Sequence, residues 1–124
     1  MILYLDTSEK VCRVWVDERS FSWEAGRGMA KGLLKFLEFC LSECGGSWGD
    51  LTGVVVMSGP GSFTGLRIGI VVANTIAESE ELAIVGEGGE GWRERAKARL
   101  GAGENQKIVM PNYGGEANIT KPRK

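Results

Sequence analysis

The chain has 124 residues, enough for one domain with a real core. Its 15 basic and 16 acidic residues leave a net charge of −1, which argues against a dedicated nucleic-acid-binding surface. With no histidine, the commonest general base, the Ser-His and Cys-His nucleophile pairs and the commonest zinc ligand are all missing, so the composition favours binding over catalysis.

Ile2–Leu5 reads as a short apolar strand ending in Asp6-Thr7-Ser8. Val11–Val16 follows, with Val14 and Val16 alternating against Arg13 and Trp15, and Ser20–Trp23 makes a third strand, so the first part reads as a β-meander. An Asp that closes a first strand, followed by hydroxyl residues and a turn, is a common place to hold a phosphate or Mg²⁺. The same residues, Asp6, Thr7 and Ser8, equally suit a turn tied down by side-chain to backbone hydrogen bonds.

Ala25–Gly28 is a linker. Met29–Glu43 then carries Met29, Leu33, Phe36, Leu37 and Cys40 at helical spacing, with Cys44 continuing the stripe, and Gly45-Gly46 ends the helix. Leu34, Phe39 and Leu41 widen the apolar arc beyond what one sheet face needs, which suggests a second packing partner. Three cysteines are an odd number, and Cys12, Cys40 and Cys44 fall on a predicted strand and helix. They read as core thiols of a reducing compartment rather than as a disulfide framework or metal site. No window approaches the roughly 18 apolar residues of a transmembrane helix, and the chain opens directly on a strand with no leader-like segment, so the expected location is the cytoplasm.

Leu51–Val56 is a buried strand, and it runs into Met57-Ser58-Gly59-Pro60-Gly61-Ser62-Phe63-Thr64-Gly65-Leu66-Arg67-Ile68-Gly69. Gly59 and Gly61 permit positive φ, Pro60 fixes the turn, and Ser62 or Thr64 can cap the helix that continues to Glu78. Gly65 and Gly69 inside that helix each cost about 1 kcal/mol relative to alanine. Gly65, Gly69, Ala73 and Ala77 recur every fourth residue and form a narrow ridge without side-chain bulk. Either the ridge packs tightly within this chain or it lets a foreign backbone come close. On the second reading, bulk at Gly69 would block a partner and leave the fold intact. Arg67, in the first turn, is unfavourably placed for the helix dipole and needs another reason, such as a carboxylate on a partner.

Leu82–Val85 is a further strand, Gly86–Gly91 a glycine-rich and mobile stretch, and Trp92–Leu100 a short charged helix. Gly101–Gln106 is a loop, Lys107–Met110 one more strand, and the chain from Pro111 an extended tail whose last residues, Lys121-Pro122-Arg123-Lys124, are locally basic.

The order β-β-β-α-β-α-β, with Leu5-Asp6-Thr7-Ser8 early and Ser58–Gly69 later, resembles the bacterial TsaB (YeaZ) family, a component of the tRNA threonylcarbamoyladenosine machinery. The likeness is close over residues 1 to 86 and includes Asp50-Leu51 before the central strand and Ile84-Val85-Gly86 after the central helix. Pro111-Asn112-Tyr113 and Ile119-Thr120-Lys121-Pro122 are similar to the family's C-terminal tail. There are departures. The second α/β subdomain is reduced to roughly residues 87 to 110. Met29 stands where the family often has a histidine, and Tyr113-Gly114-Gly115 replaces a terminal Tyr-x-Arg.

The resemblance implies an α/β fold, a single ribonuclease H-like/actin-like ATPase lobe whose mixed five-stranded sheet has helices packed on it. Residues 1–86 would be that lobe, and 87–124 the remnant of the second subdomain with the tail. It implies a non-catalytic protein, without cofactor or metal, that pairs with the catalytic subunit TsaD. A TsaE ATPase would join the larger complex, and self-association through the same surface is also implied. The interface would lie on Met29, Leu33, Leu34 and Leu37 of the first helix and on Ser62, Phe63, Gly65, Leu66, Arg67, Gly69, Ile70 and Ala73 of the second. The alternatives are a nucleotide binder of the same fold class and a homodimer without TsaD. In the nucleotide binder, Asp6-Thr7-Ser8 and the Gly59–Gly65 turn would cradle phosphate and Mg²⁺. A single lobe and the lack of a GK[ST] motif weigh against it.

Overall fold

The computed structural model describes residues 1–112; the predicted tail beyond Asn112 lies outside the described residues. In chain order the elements are β1 (Ile2–Asp6), β2 (Val11–Val16), β3 (Arg19–Glu24), α1 (Met29–Glu43), β4 (Gly53–Met57), α2 (Phe63–Ser79), β5 (Ile84–Glu87) and α3 (Trp92–Gly101). They form one five-stranded mixed sheet in the order β3-β2-β1-β4-β5. The meander pairs antiparallel, Leu3 opposite Val16 and Val14 opposite Phe21, while β4 runs parallel to β1 and β5 parallel to β4.

Strand alternation assigns the two faces. Leu3, Leu5, Val14, Val16, Val54, Val56 and Ile84 share one face and are buried with Leu33, Leu37, Leu41, Leu66 and Ile70 of α1 and α2. Tyr4, Trp15 and Val55 share the other, which α3 covers. The Trp92 ring meets Tyr4 and Trp15 edge-on at 6.5 and 5.7 Å, and Leu100 lies over Gly53. Every residue of β4 is buried, as expected of a central strand covered on both sides. A helix of ten residues thus closes a sheet face that would otherwise expose aromatic and aliphatic groups.

Three expectations need correction. Lys107–Met110 does not pair as a strand. Lys107 turns the chain with φ of 67°, and Asn74 of α2 grips Val109 from both sides, its amide donating to the Val109 carbonyl at 3.1 Å and its carbonyl accepting the Val109 N–H at 2.9 Å. The open edge of β5 is met by Asn105 and Gln106 instead: Asn105 Oδ1 accepts from Ile84 N–H, Gln106 Oε1 accepts from Gly86 N–H, and the Gln106 N–H donates to the Ile84 carbonyl. The fifth strand starts at Ile84 rather than Leu82, because Glu81 takes up positive φ and the Leu82 N–H still bonds back to α2 at Ala77.

Gly86–Gly91, third, is pinned from α3. Arg95 donates to the carbonyls of Gly88 and Glu90, and Glu87 pairs with both Arg95 and Arg99 at 3.1 and 3.0 Å. Burial alone would raise the Glu87 carboxyl, but hydrogen bonds from these two guanidinium groups outweigh it and hold it below the usual carboxylate range.

The cysteines are free thiols. Burial pushes Cys12 and Cys40 up to about 12, while Cys44 is half-buried. In the native protein a thiol reagent at about pH 8 should therefore titrate Cys44 alone, and all three only after denaturation. A second fast-reacting thiol in the folded state would contradict this packing. Among the described residues no helix is long and apolar enough to cross a membrane.

Candidate functional site

The two motifs that stood apart in the sequence are halves of one internal joint. Thr7, at the end of β1, is fully buried and donates its hydroxyl to the Gly65 carbonyl at 2.6 Å. The Ser8 carbonyl accepts the Ser62 N–H at 2.9 Å, and a Cβ on Gly61 would lie 2.6 Å from Ser8 Cβ. On α2, a Cβ on Gly65 would collide with the Thr7 carbonyl oxygen, and one on Gly69 with Thr7 Oγ1. The small-residue ridge is the socket that admits Thr7, and Ala73 and Ala77 extend it into the core. Ser62 caps the helix, accepting the Gly65 N–H at 3.3 Å.

The same residues, Asp6, Thr7 and Ser8, form a turn tied by side-chain hydrogen bonds. Asp6 Oδ1 accepts from both the N–H and the hydroxyl of Ser8, at 2.9 and 2.6 Å. Thr7 has its hydroxyl committed to α2 and no exposed surface from which to reach a phosphate.

This geometry corrects the expected interface. Met29, Leu33, Leu37, Leu66, Ile70 and Ala73 are buried in this chain's own core, and Gly65 and Gly69 face Thr7, so none of these offers a surface to a second protein. Leu34, Ser62, Phe63 and Arg67 do stand outside. Leu41, counted with the surplus apolar arc of α1, is buried as well, whereas Leu34 and Phe39 are each about half exposed.

What remains on the outer side of α1 and α2 is a set of exposed apolar side chains. Leu34, Phe63 and Val71 expose 51, 56 and 61% of their surface. Ala30, Arg67, Ile68, Val71 and Val72 line a shallow groove of about 330 Å³ between the two helices. A separate, smaller hollow of about 160 Å³ is lined by Leu34, Trp48, Thr75, Ile76, Ser79 and Glu80. Arg67, the charged residue of the groove, rests over the Phe63 ring at 5.8 Å. Sequence reasoning missed Ala30, Ile68, Val71, Val72 and Thr75. The signal was present in the four-residue spacing of Arg67, Val71 and Thr75, opposite the glycine-alanine ridge.

On the far flank of α1, Phe36 and Phe39 pack with Phe21 and Trp23 of the edge strand β3, and Trp23 fills the space above Gly32. That cluster holds β3 onto α1. A larger hollow of about 600 Å³ lies beside the second half of α2, bordered by Glu78, Glu81, Asn105 and Ile108.

Residues 23–87 match the family model described as TsaD: tRNA N6-adenosine threonylcarbamoyltransferase. The chain is 35% identical over 89 residues to the tRNA threonylcarbamoyladenosine biosynthesis protein TsaB of Escherichia coli, covering 68% of this chain and 38% of the relative. It is 46% identical over 44 residues to TsaB of Bacillus subtilis, 36% of this chain and 19% of the relative. Among solved structures, YeaZ from Pseudomonas aeruginosa superposes with a TM-score of 0.64 at 28% identity, over 81% of this chain and 49% of that one. The chain thus spans less than half the length of each of these relatives. The lobe is an actin-like, ribonuclease H-like α/β unit, and in sequence and fold alike the chain belongs to the TsaB (YeaZ) family.

Proposed function

We propose that this chain is a non-catalytic, partner-binding lobe that serves tRNA threonylcarbamoyladenosine synthesis by docking on a TsaD-like catalytic subunit through the outer face of α1 and α2. A TsaE-like ATPase joins the resulting assembly. The observation that carries this reading is the exposed apolar face of Leu34, Phe63 and Val71, with its groove, on two helices inside the matched segment. Exposed apolar patches rimmed by polar residues mark interaction sites. The family names of the relatives supply the pathway.

Co-expression with the TsaD-like subunit of the same organism, followed by size exclusion, tests it. The wild-type chain co-elutes. Val71→Glu buries a carboxylate in the apolar contact and weakens the complex by about 3 kcal/mol, roughly 100-fold. Its melting temperature stays within a degree or two of the wild type, because Val71 is 61% exposed in the free chain. Co-elution of Val71→Glu at wild-type strength would remove this face from consideration. Light scattering of the chain alone separates a homodimer using the same face.

A further inference from the structure

Among the described residues Arg67 makes no ion pair; those present are made by Arg13, Arg95 and Arg99. Five residues into α2, it gains nothing from the helix dipole, which favours acids there. Its guanidinium lies over the exposed Phe63 ring, so a stacking contact holds it at the mouth of the groove. Every other residue lining that groove is apolar. A partner that covers the groove must strip water from the guanidinium, and an unpaired charge buried in an interface opposes binding strongly.

We infer that the face of the catalytic subunit lying on α1 and α2 presents a carboxylate to Arg67, inside an otherwise apolar contact. This rests on the docking reading above. A guanidinium offers a planar fork of donors that matches a carboxylate bidentately. The pair therefore sets register between two helical surfaces that apolar contacts alone would leave free to slide. It also selects the partner, since a surface without the acid leaves Arg67 buried and unpaired.

The test is binding of the full chain to the TsaD-like subunit by surface plasmon resonance, at about 0.05 and 0.5 M salt, which spans weak to strong screening. Wild type is compared with Arg67→Ala, Arg67→Lys, Arg67→Glu and Val71→Glu. Arg67→Ala weakens binding about 30-fold or more, and Arg67→Glu weakens it further. Arg67→Ala also flattens the salt dependence, and Arg67→Lys keeps the salt dependence while losing part of the affinity. All should melt like the wild type, because the side chain is exposed. Wild-type affinity and salt response in Arg67→Ala, with Val71→Glu failing to bind, would overturn the carboxylate and leave the docking face standing. Undiminished binding by Val71→Glu would overturn both. A wild-type chain that ignores the catalytic subunit yet forms a dimer broken by Arg67→Glu would overturn the inference in favour of a second copy.

Discussion

Gly69→Ala is expected to destabilise the lobe by about 3 kcal/mol or more, at or beyond the upper end of ordinary overpacking. The added methyl group falls within van der Waals contact of Thr7 Oγ1 and 3.0 Å from its Cγ2. Thr7 has no room to retreat, being fully buried and bonded to the Gly65 carbonyl. Nor has α2, since Leu66 and Ala73 on the same side of the helix are fully buried. Thr7→Ala removes both colliding atoms and leaves only its Cβ, 3.1 Å from the new methyl group. Alone it costs about 1–2 kcal/mol through the lost hydrogen bond and the small void. The double variant should be at least about 1 kcal/mol more stable than the sum of the two single changes. Gly65→Ala is the control, because its methyl group meets the backbone oxygen of Thr7, which a side-chain change does not move. Urea unfolding of these variants reads all the terms. Additive losses for Gly69 and Thr7 would show that the ridge does not receive the threonine.

Trp92→Ala is the second large effect, about 3–5 kcal/mol as for other buried aromatic truncations. Trp92 is 9% exposed and opens α3 beneath two rings, Tyr4 and Trp15, while Arg93 covers Trp15 at 4.2 Å. The other apolar anchors of this helix are Ala96, which is fully buried, and Leu100, which is partly so, while Arg95 and Arg99 tie it by ion pairs to Glu87 at the end of β5. The loss should appear in thermal melting and as reactivity of the uncovered face to a hydrophobic dye, with β-sheet circular dichroism retained at low temperature. A variant with unchanged melting would mean that α3 is not what closes the second face. The effect should leave the α1–α2 surface intact, so partner binding in the cold survives Trp92→Ala where it fails in Val71→Glu.

Much of the fold was legible because the signals were local. Met29–Glu43 and Val11–Val16 match the elements formed, since their apolar spacing and flanking glycines and turns leave one reading. The strand, glycine-rich turn and helix at Met57–Gly69 were legible for the same reason; of the two cap candidates, Ser62 and Thr64, the structure uses Ser62, and of the two glycines, Gly59 and Gly61, only Gly59 takes up positive φ. Lys107–Met110 shows the opposite case. Its residues suit a strand, but Asn105 and Gln106 already occupy the β5 edge with side-chain oxygens, and Asn74 takes the Val109 backbone. Gly86–Gly91 looked mobile because the clamp on it, Arg95, comes from the following helix.

For the binding face, periodicity identified a bulk-free ridge on α2 but carried no information about which neighbour fills it. That was decided by strand order. Because β4 pairs parallel with β1, the helix that follows β4 passes over the end of β1, and Thr7 enters the ridge. The close approach along the ridge is therefore internal, and the opposite side of the same helix, with Val71, Ile68 and Arg67, is turned outward. Helical spacing specifies which residues share a side; only packing against the sheet specifies which side meets water.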